Sequence, residues 1–207
     1  MTDIQVDKDH YNFADYMTKR RWASFWTQLN EISRLSPDKV LEVGPGKGLL
    51  KEIGALERFN ISTVDHDSDL KPDHVGSIQS LPFENGSFDL VCAFQVLEHI
   101  EYADVPNALR ELKRVATKHV LISLPNAQVV WRYRIYLPTL GERDFMFRRP
   151  FWKAVEHKFD GEHYWELNKK GYEVDNVLAG LSREFAIVKH WRCWDNPYHH
   201  FILLRVA

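Results

Sequence analysis

Three glycines at a junction between strand and helix constrain this chain more than any other feature. The run VLEVGPGKGLL places Gly44, Gly46 and Gly48 where a short apolar stretch ends and a helical pattern begins. Such a turn brings backbone amides and the positive end of a helix to a ligand, which favours a ligand with a negative group. The dinucleotide fingerprint G-x-G-x-x-G would need its third glycine where Leu49 stands, so the pattern shifts the odds away from NAD. Tight packing between strand and helix is the alternative explanation of the same glycines.

An acidic residue follows the next apolar run, Ile61–Val64. At the end of a strand, the carboxylate of Asp65 can accept both hydrogen bonds of a ribose diol. Asp67 is the second candidate, and a plain role in turning the chain within VDHDSD is the alternative for Asp65. The glycine turn and this carboxylate together favour an adenosine-containing ligand.

Strand and helix patterns alternate through the middle of the chain. The β-type runs are Lys39–Val43, Ile61–Val64, His74–Gly76, Phe88–Phe94 and His119–Leu124, and helical patterns start at Gly48 and Asp104. Strands separated by helices predict a parallel sheet with right-handed crossovers, so the predicted fold class is α/β. Helical spacing over Tyr11–Leu35 predicts an amphipathic helix before this core. The runs Phe185–Trp191 and Phe201–Val206 predict a closing hairpin after it.

Composition limits the partners and surroundings of the chain. With 207 residues, 44% of them hydrophobic, the chain can form one large domain, and its 27 basic and 29 acidic side chains nearly cancel. No overall field draws it to a nucleic acid or an anionic membrane, so neither partner is expected. Cys92 and Cys193 stand far apart, which predicts reduced thiols without a zinc site and a cytoplasmic location. No other metal site is predicted.

Segment 124–167 is long for a crossover and rich in aromatic residues. These are Trp131, Tyr133, Tyr136, Phe145, Phe147, Phe151, Trp152, Phe159, Tyr164 and Trp165. Between Trp131 and Phe159, seven basic residues stand against three acidic ones, a net charge of +4 (seven minus three). Because long connections tend to carry function, we predict a helical or loop cap over the site. Interleaved basic and aromatic groups suit a phosphate-bearing, nucleotide-linked or stacked substrate, whereas arginines packed over rings or paired with acids are the alternative.

The ordered motifs of the central part resemble those of an enzyme family. VLEVGPGKG, VDHD, SLPFENGSFDLVCAFQVLEHI, ELKRV and HVLISLPN follow one another between Lys39 and Asn126. This series is similar to the class I S-adenosylmethionine-dependent methyltransferases, especially the methyltransferase type 11 group. The resemblance implies a Rossmann-like, doubly wound, mostly parallel sheet of about seven strands with an antiparallel C-terminal hairpin strand. It also implies S-adenosylmethionine as cofactor and S-adenosylhomocysteine as product.

We therefore predict a single methyltransferase domain over 1–207. Its predicted parts are an N-terminal helical segment (1–36), a cofactor-binding core (37–123), a substrate cap (124–167) and a C-terminal helix with a hairpin (168–207). The predicted function is methyl transfer to a small-molecule or carrier-linked acceptor.

The resemblance assigns cofactor contacts to particular residues. Those that would lie at the methionine end are Glu42, Gly44, Pro45, Gly46, Gly48, Gln95 and Val96, and Asp65 would hold the ribose. The acidic residue that meets the adenine amino group in the family corresponds here to Ser77, which is a departure. Serine can still accept a hydrogen bond, and Ile78 and Leu81 could flank the ring.

Methyl transfer needs alignment and exclusion of water more than a nucleophile from the protein, because the sulfonium is already electrophilic. A base is needed only when the acceptor must lose a proton, and histidine suits that role near neutrality. The catalytic candidates are His99, in VLEHI, and His163, in the cap, with His157 as a third. A structural hydrogen bond for His99 and an ordinary surface loop for His163 are the alternatives.

Two other functions stay open at this point. A non-catalytic cofactor-binding or regulatory module would explain the serine at position 77 and the unassigned base. An NAD-linked oxidoreductase would share the glycine turn and the ribose-binding acid. Nucleobase amine methylation is disfavoured, because AFQV stands where an N/D-P-P-Y-type phrase would be needed, and DNPY, Asp195–Tyr198, falls in the tail turn.

Overall fold

The structure is a computed structural model that describes residues 17–206. Its helices over that range are α1 (Lys19–Leu35), α2 (Leu49–Leu56), α3 (Val105–Val115) and α4 (Val174–Leu181). Its strands are β1 (Val40–Val43), β2 (Ile61–Asp65), β3 (His74–Val75), β4 (Phe88–Phe94), β5 (Ala116–Pro125), β6 (Val130–Leu137), β7 (Gly141–Arg148), β8 (Phe185–Arg192) and β9 (His199–Val206). Short 3-10 turns occupy Ser68–Leu70, Leu97–His99 and Tyr102–Asp104.

Seven strands form one sheet in the order β3-β2-β1-β4-β5-β9-β8, and β6 and β7 form a separate pair. The pairs among β1 to β5 are parallel, whereas β9 is antiparallel to both β5 and β8. The predicted Rossmann-like α/β fold with an antiparallel C-terminal hairpin strand is confirmed.

The sheet is covered by apolar residues on both faces. Along β1 the side chains alternate, so that Leu41 and Val43 belong to one buried cluster and Val40 to the other. Leu112 of α3 joins the first cluster, and Ile32 of α1 joins the second. Helices on both faces explain why the central strands read as continuous apolar runs rather than as alternating ones.

The strand order reverses between β1 and β4. From β1 the chain proceeds outward to β2 and β3, then returns to place β4 on the other side of β1. In open parallel sheets, the crevice at the carboxyl ends of such neighbouring strands is where ligands bind. The fold therefore places a candidate site next to the glycine turn.

Segment 124–167 departs from the predicted helical or loop cap, because the structure describes all of it and assigns no helix there. Instead β6 and β7 form a hairpin that pairs Trp131 with Phe147 and Tyr133 with Phe145. Aromatic and aliphatic residues alternate with charged ones along VWRYRIYL, and this period of two is typical of a strand. The chain then returns through a loop to Trp165, which is fully buried.

The predicted first helix is present, but the residues that it buries are not the ones that its apolar spacing indicates. α1 begins at Lys19, and the side chain of Thr18 caps it by accepting a hydrogen bond from the Arg21 amide at 3.2 Å. The first part of the predicted range Tyr11–Leu35, up to residue 16, lies outside the described residues. The most exposed large hydrophobic side chain of α1 is Trp26, at 67%. The buried side chains of α1 are instead largely polar: Ser24, Thr27, Gln28, Glu31 and Ile32.

The polar face of α1 packs on the C-terminal hairpin, which supplies partners for it. The Asn196 side-chain amide donates to Ser24 Oγ at 3.0 Å, and Lys189 Nζ lies 2.7 Å from Glu31 Oε2. Because these partners come from the far end of the chain, the local spacing of apolar residues in α1 did not identify the buried face.

Candidate functional site

The glycine turn joins β1 to α2. Gly44, Gly46 and Gly48 all have positive φ, at 70°, 56° and 72°, a conformation that L side chains adopt only with strain. A Cβ on Gly44 would lie 2.6 Å from Cγ2 of Val96, so the ends of β1 and β4 can approach only with glycine at that position. At Gly48, the N-cap residue of α2, no atom lies within 4 Å of such a Cβ, so this side of the turn is open.

Glu42 stands in β1 immediately before the turn and is only 4% exposed. Its Oε2 atom has no hydrogen-bond partner. Burial and the nearby charge of Asp65 raise the pKa of the Glu42 carboxyl to about 8. An unpartnered buried carboxyl is costly, and a cationic group of a ligand would satisfy it.

Asp65 closes β2, the strand next to β1, and is 7% exposed. Its Oδ1 atom accepts from the Asp67 amide at 3.0 Å and lies 3.2 Å from Nδ1 of His66. Asp67 is buried as well, and its own carboxylate accepts from the Asp69 amide at 2.8 Å. Asp65 thus turns the chain, as the alternative proposed, and it stands at the end of β2, the position for which the sequence predicts a ribose contact.

Gln95 and Val96 follow β4 at the same edge. Gln95 has a φ of 57°, which is unusual for a residue other than glycine. Its side-chain amide donates to Ser123 Oγ at 3.0 Å, and its backbone amide donates to the Ser123 carbonyl at 3.0 Å. These bonds hold Gln95 in its strained conformation and fix Val96 over Gly44.

The residues predicted near adenine divide into two kinds. Ser77 is partly exposed, and its Oγ accepts from the Gln79 amide at 3.2 Å. Ile78 and Leu81 pack in the core, with exposures of 6% and 4%. Little of either side chain remains to flank a ring, because the same segment also covers the sheet.

Beyond β4, two segments distant in sequence bring Glu98, His99 and His163 together. The rings of His99 and His163 are 5.1 Å apart between centroids, with an angle of 69° between their planes. One polar atom from each of the three side chains lies within 4.8 Å of those from the other two. Two predicted catalytic candidates therefore share one cluster with an acid that the sequence analysis had not singled out.

Hydrogen bonds fasten the loop before Trp165 to the turn Leu97–His99. The Tyr164 amide donates to the Glu98 carbonyl at 2.8 Å, and the Trp165 indole donates to the Leu97 carbonyl at 3.1 Å. The cluster is thereby held against the end of β4, two residues beyond Val96.

The Glu98 side chain is completely buried, and neither carboxylate oxygen has a hydrogen-bond partner. Burial raises the pKa of this carboxyl to about 8. The sequence signal for Glu98 is an acid within the apolar context of FQVLEHI, a phrase that belongs to the motifs shared with the family.

His163 is held by groups from the C-terminal part of the chain. Its Nδ1 lies 3.0 Å from Oε1 of Glu166, which also accepts from the hydroxyl of Tyr198. Burial acts to lower the pKa of His163, but the Glu166 hydrogen bond and the acids nearby raise it overall. His163 is only partly exposed and does not belong to a plain surface loop.

No sequence pattern marks Glu166 as a site residue, and the DNPY phrase predicts only a turn for Tyr198. Tyr198 does lie in the connection between β8 and β9, but its hydroxyl faces segment 124–167. The third histidine, His157, places Nε2 2.8 Å from the His163 carbonyl and therefore shapes the loop.

The arginines of the β6–β7 hairpin are partly engaged with their surroundings. Arg134 makes a two-pronged contact with Asp144 at 2.8 and 3.0 Å, and its guanidinium lies 4.2 Å from the centre of the Trp194 ring. Arg132 donates to the Trp194 carbonyl, and Arg148 lies 5.4 Å from the centre of the Trp152 ring. Packing over rings and pairing with acids, the alternative set out above, account for these three residues.

Among residues 17–206, no helix has both the length and the apolar character that a membrane crossing requires.

Comparisons with solved structures identify similar folds at low sequence identity. A glycopeptide N-methyltransferase complexed with S-adenosylhomocysteine aligns with a TM-score of 0.59 and 12% identity, over 89% of each chain. A 1,6-didemethyltoxoflavin methyltransferase of Burkholderia thailandensis, with its substrate and S-adenosylhomocysteine bound, gives 0.56 and 14%, over 91% of this chain and 78% of that one. The N-methyltransferase NodS of Bradyrhizobium japonicum gives 0.59 and 13%, over 98% of this chain and 94% of that one.

A search of curated proteins found no match. A family model described as a methyltransferase domain matches residues 13–201, which is most of the chain. The chain therefore belongs to this methyltransferase family, which confirms the predicted class I S-adenosylmethionine-dependent methyltransferase and its cofactor, S-adenosylmethionine.

Proposed function

We propose that this protein transfers the methyl group of S-adenosylmethionine to a small-molecule or carrier-linked acceptor, held between the strand ends and segment 124–167. The observation that carries the proposal is Glu42, a buried carboxyl without a partner on Oε2, directly before the glycine turn. Asp65 stands beside it at the end of the neighbouring strand. A ligand with a cationic group at one end and a ribose diol next to it satisfies both acids.

On the cofactor side, each residue has a distinct task. Glu42 and the turn from Gly44 through Pro45 and Gly46 to Gly48 would bind the methionine end, and Asp65 would bind the ribose. When bound, S-adenosylmethionine supplies a methyl group attached to a cationic sulfur. After the transfer, that sulfur belongs to a neutral thioether, which is the leaving group. For the transfer itself the residues of the chain need only align the reactants and exclude water, and a base is needed only when the acceptor must lose a proton.

Recognition of adenine would depend chiefly on Ser77. Its hydroxyl is partly exposed and can both accept and donate. Ile78 and Leu81 would contact the adenine chiefly through their backbone atoms, because their side chains are buried.

On the acceptor side, His99 and His163 would contact the reacting group. Glu166 engages Nδ1 of His163, which makes the other ring nitrogen the atom that accepts a proton from an acceptor that carries one. Burial and the neighbouring His163 lower the pKa of His99, so this histidine stays neutral near pH 7.

The acceptor class would include molecules with a phosphate or nucleotide group. The excess of basic residues in 131–159 supports this assignment, although Arg132, Arg134 and Arg148 already have partners in the protein. We propose the cytoplasm as the location, because Cys92 and Cys193 are both free and buried.

Calorimetric titration with S-adenosylhomocysteine and, in parallel, NAD tests the cofactor side. Micromolar binding of S-adenosylhomocysteine without binding of NAD is expected. A folded sample, free of copurified ligand, that binds neither molecule would contradict the proposal. Methyl transfer to acceptor pools with and without phosphate groups then tests the acceptor class.

A further inference from the structure

We propose that Glu98, His99 and His163 bind one divalent first-row transition-metal ion such as Zn²⁺. Their three polar atoms lie within 4.8 Å of one another. Ligands of a single tetrahedral ion are about 3.4 Å apart. Side-chain rotations that shorten these distances by up to about 1.4 Å would therefore place all three atoms on one ion. The sequence predicts no metal site, because its ligands come from two distant segments.

The strongest support comes from Glu98. Its side chain is 0% exposed, and neither of its carboxylate oxygens has a hydrogen-bond partner. Buried carboxyls normally have partners, and one without any leaves its desolvation uncompensated. A cation between Glu98 and the two imidazoles would supply the missing partner.

The hydrogen bonds around the two histidines fit the same role. Nδ1 of His99 lies 3.0 Å from the Glu162 carbonyl, and Nδ1 of His163 lies 3.0 Å from Glu166 Oε1. A metal-bound histidine usually donates one ring N–H to an oxygen, which fixes the tautomer and directs the other nitrogen to the ion. Both rings have this arrangement, and Tyr198 in turn donates to Glu166.

A second group, Asp160, His163 and Glu166, also lies close enough together to be considered. Its acids, however, are engaged within the protein. Asp160 Oδ1 accepts from the Glu162 and His163 amides at 3.0 and 2.8 Å, and Glu166 Oε1 accepts from Tyr198. We therefore place the ion at Glu98 and give Glu166 the task of orienting His163.

The donor set selects the kind of ion. Two imidazole nitrogens and one carboxylate suit Zn²⁺ and its first-row neighbours, whereas Ca²⁺ and Mg²⁺ prefer oxygen ligands alone. Three protein ligands leave at least one coordination position open, as in catalytic sites. The open position would take an oxygen of the acceptor, since Val96, two residues before Glu98, packs over Gly44 at the cofactor turn.

Only this last assignment rests on the proposed function, and it replaces direct proton transfer to His163 with binding of the acceptor oxygen to the ion. Binding of the ion itself requires neither cofactor nor acceptor.

The test is calorimetric titration of ZnCl2 into tag-free, chelator-treated full-length protein. Wild-type protein should bind one ion with a micromolar or lower Kd, and Glu98→Gln and His163→Ala should each weaken binding at least tenfold. Two variants serve as matched controls. Glu101→Gln removes an exposed carboxylate that is close in sequence to the site. His119→Gln removes an imidazole near the start of β5, which is not part of the site. Both controls should bind as the wild type does.

Absence of one-to-one binding, or equal affinities for the wild type and the two site variants, would overturn the proposal. Where a variant fails to fold, the visible absorption of Co²⁺-loaded wild-type protein decides. Intense bands of low-coordinate Co²⁺ support the site, and the weak bands of the aqua ion overturn it. S-adenosylhomocysteine is titrated into the same samples, because cofactor binding without Zn²⁺ binding refutes only the metal site, and the reverse refutes only the proposed cofactor.

Discussion

The two sides of the candidate site use one edge of the sheet but are assembled differently. On the cofactor side, Glu42 lies in β1 and Gly44 directly follows that strand, while Asp65 ends the adjacent one, so strand register alone brings them together. On the acceptor side, His99 and His163 meet only because a long connection returns and is fastened by Tyr164 and Trp165. Backbone geometry determines the first side, and side-chain contacts between distant segments determine the second. The two sides should therefore respond separately to substitution.

Glycine substitutions are expected to give the largest difference in effect between the two sides of the site. Gly44→Val would place a branched side chain against Val96, already 2.6 Å from a Cβ at that position, and should abolish S-adenosylhomocysteine binding. Gly141→Ala is the matched control, since Gly141 also has a positive φ, at 71°, but has open space around it in the β6–β7 hairpin. Calorimetry should give an unchanged Kd for Gly141→Ala. Unchanged affinity in Gly44→Val would remove the turn from the site.

The acceptor side should show the opposite pattern. Once an acceptor is found, His163→Ala should lower the rate of methyl transfer by about 10²- to 10⁴-fold, with the Kd for S-adenosylhomocysteine within about twofold. Kinetics and calorimetry on one preparation measure both quantities. Normal turnover would return His163 to a purely structural role, and a parallel loss of cofactor affinity would show that the two sides are not separable.

A smaller effect is expected at the ribose position. Asp65→Ala should weaken S-adenosylhomocysteine binding by about 1–3 kcal/mol, because a hydrogen bond to a charged group is lost. Asp69→Ala removes an exposed aspartate of the same loop and should leave the affinity unchanged. Weakening in Asp67→Ala but not in Asp65→Ala would transfer the ribose contact to Asp67.

The smallest effect on cofactor binding is expected from removal of the hairpin. The Arg149 amide donates to the Val129 carbonyl at 3.1 Å, so a short glycine-serine turn can replace 131–147. Calorimetry of the shortened protein should give a Kd for S-adenosylhomocysteine within about twofold of the wild type, because affinity resides in the cofactor contacts at the strand ends. A loss of affinity would show that the hairpin takes part in cofactor binding.

The sequence predicts the placement of Glu42, the glycine turn and Asp65 at one sheet edge because the determinants of that placement are local. A glycine turn after a buried strand and an acid after the next one constrain geometry within a few residues, and parallel pairing brings them to one edge. The adenine side chains were harder to predict, because Ile78 and Leu81 can either cover the sheet or face a ligand, and only the packed structure shows that they are buried.

The acceptor side could not be predicted in the same way. Glu98 is buried where the loop before Trp165 is fastened to the turn Leu97–His99, and Tyr198 reaches Glu166 from the connection between β8 and β9. The aromatic content of segment 124–167 predicts a helical or loop cap, whereas the alternation of residues along Val130–Leu137 is the feature that matches the observed hairpin. Contacts between distant segments leave no periodic signal in the sequence.

Glu42 allows the most direct test of the cofactor site. Its carboxyl, which faces Asp65 and the Cys92 thiol, has a pKa raised to about 8 and is therefore mostly protonated at pH 7 in the free protein. Binding of a cation favours the ionised form, so S-adenosylmethionine should displace the proton, and affinity should rise with pH up to about 8. Calorimetry at pH 7 in buffers of different ionisation enthalpy counts the protons released. Wild-type protein should release about one proton more than Glu42→Gln, whereas equal release would contradict the placement of the cationic end of the cofactor at Glu42.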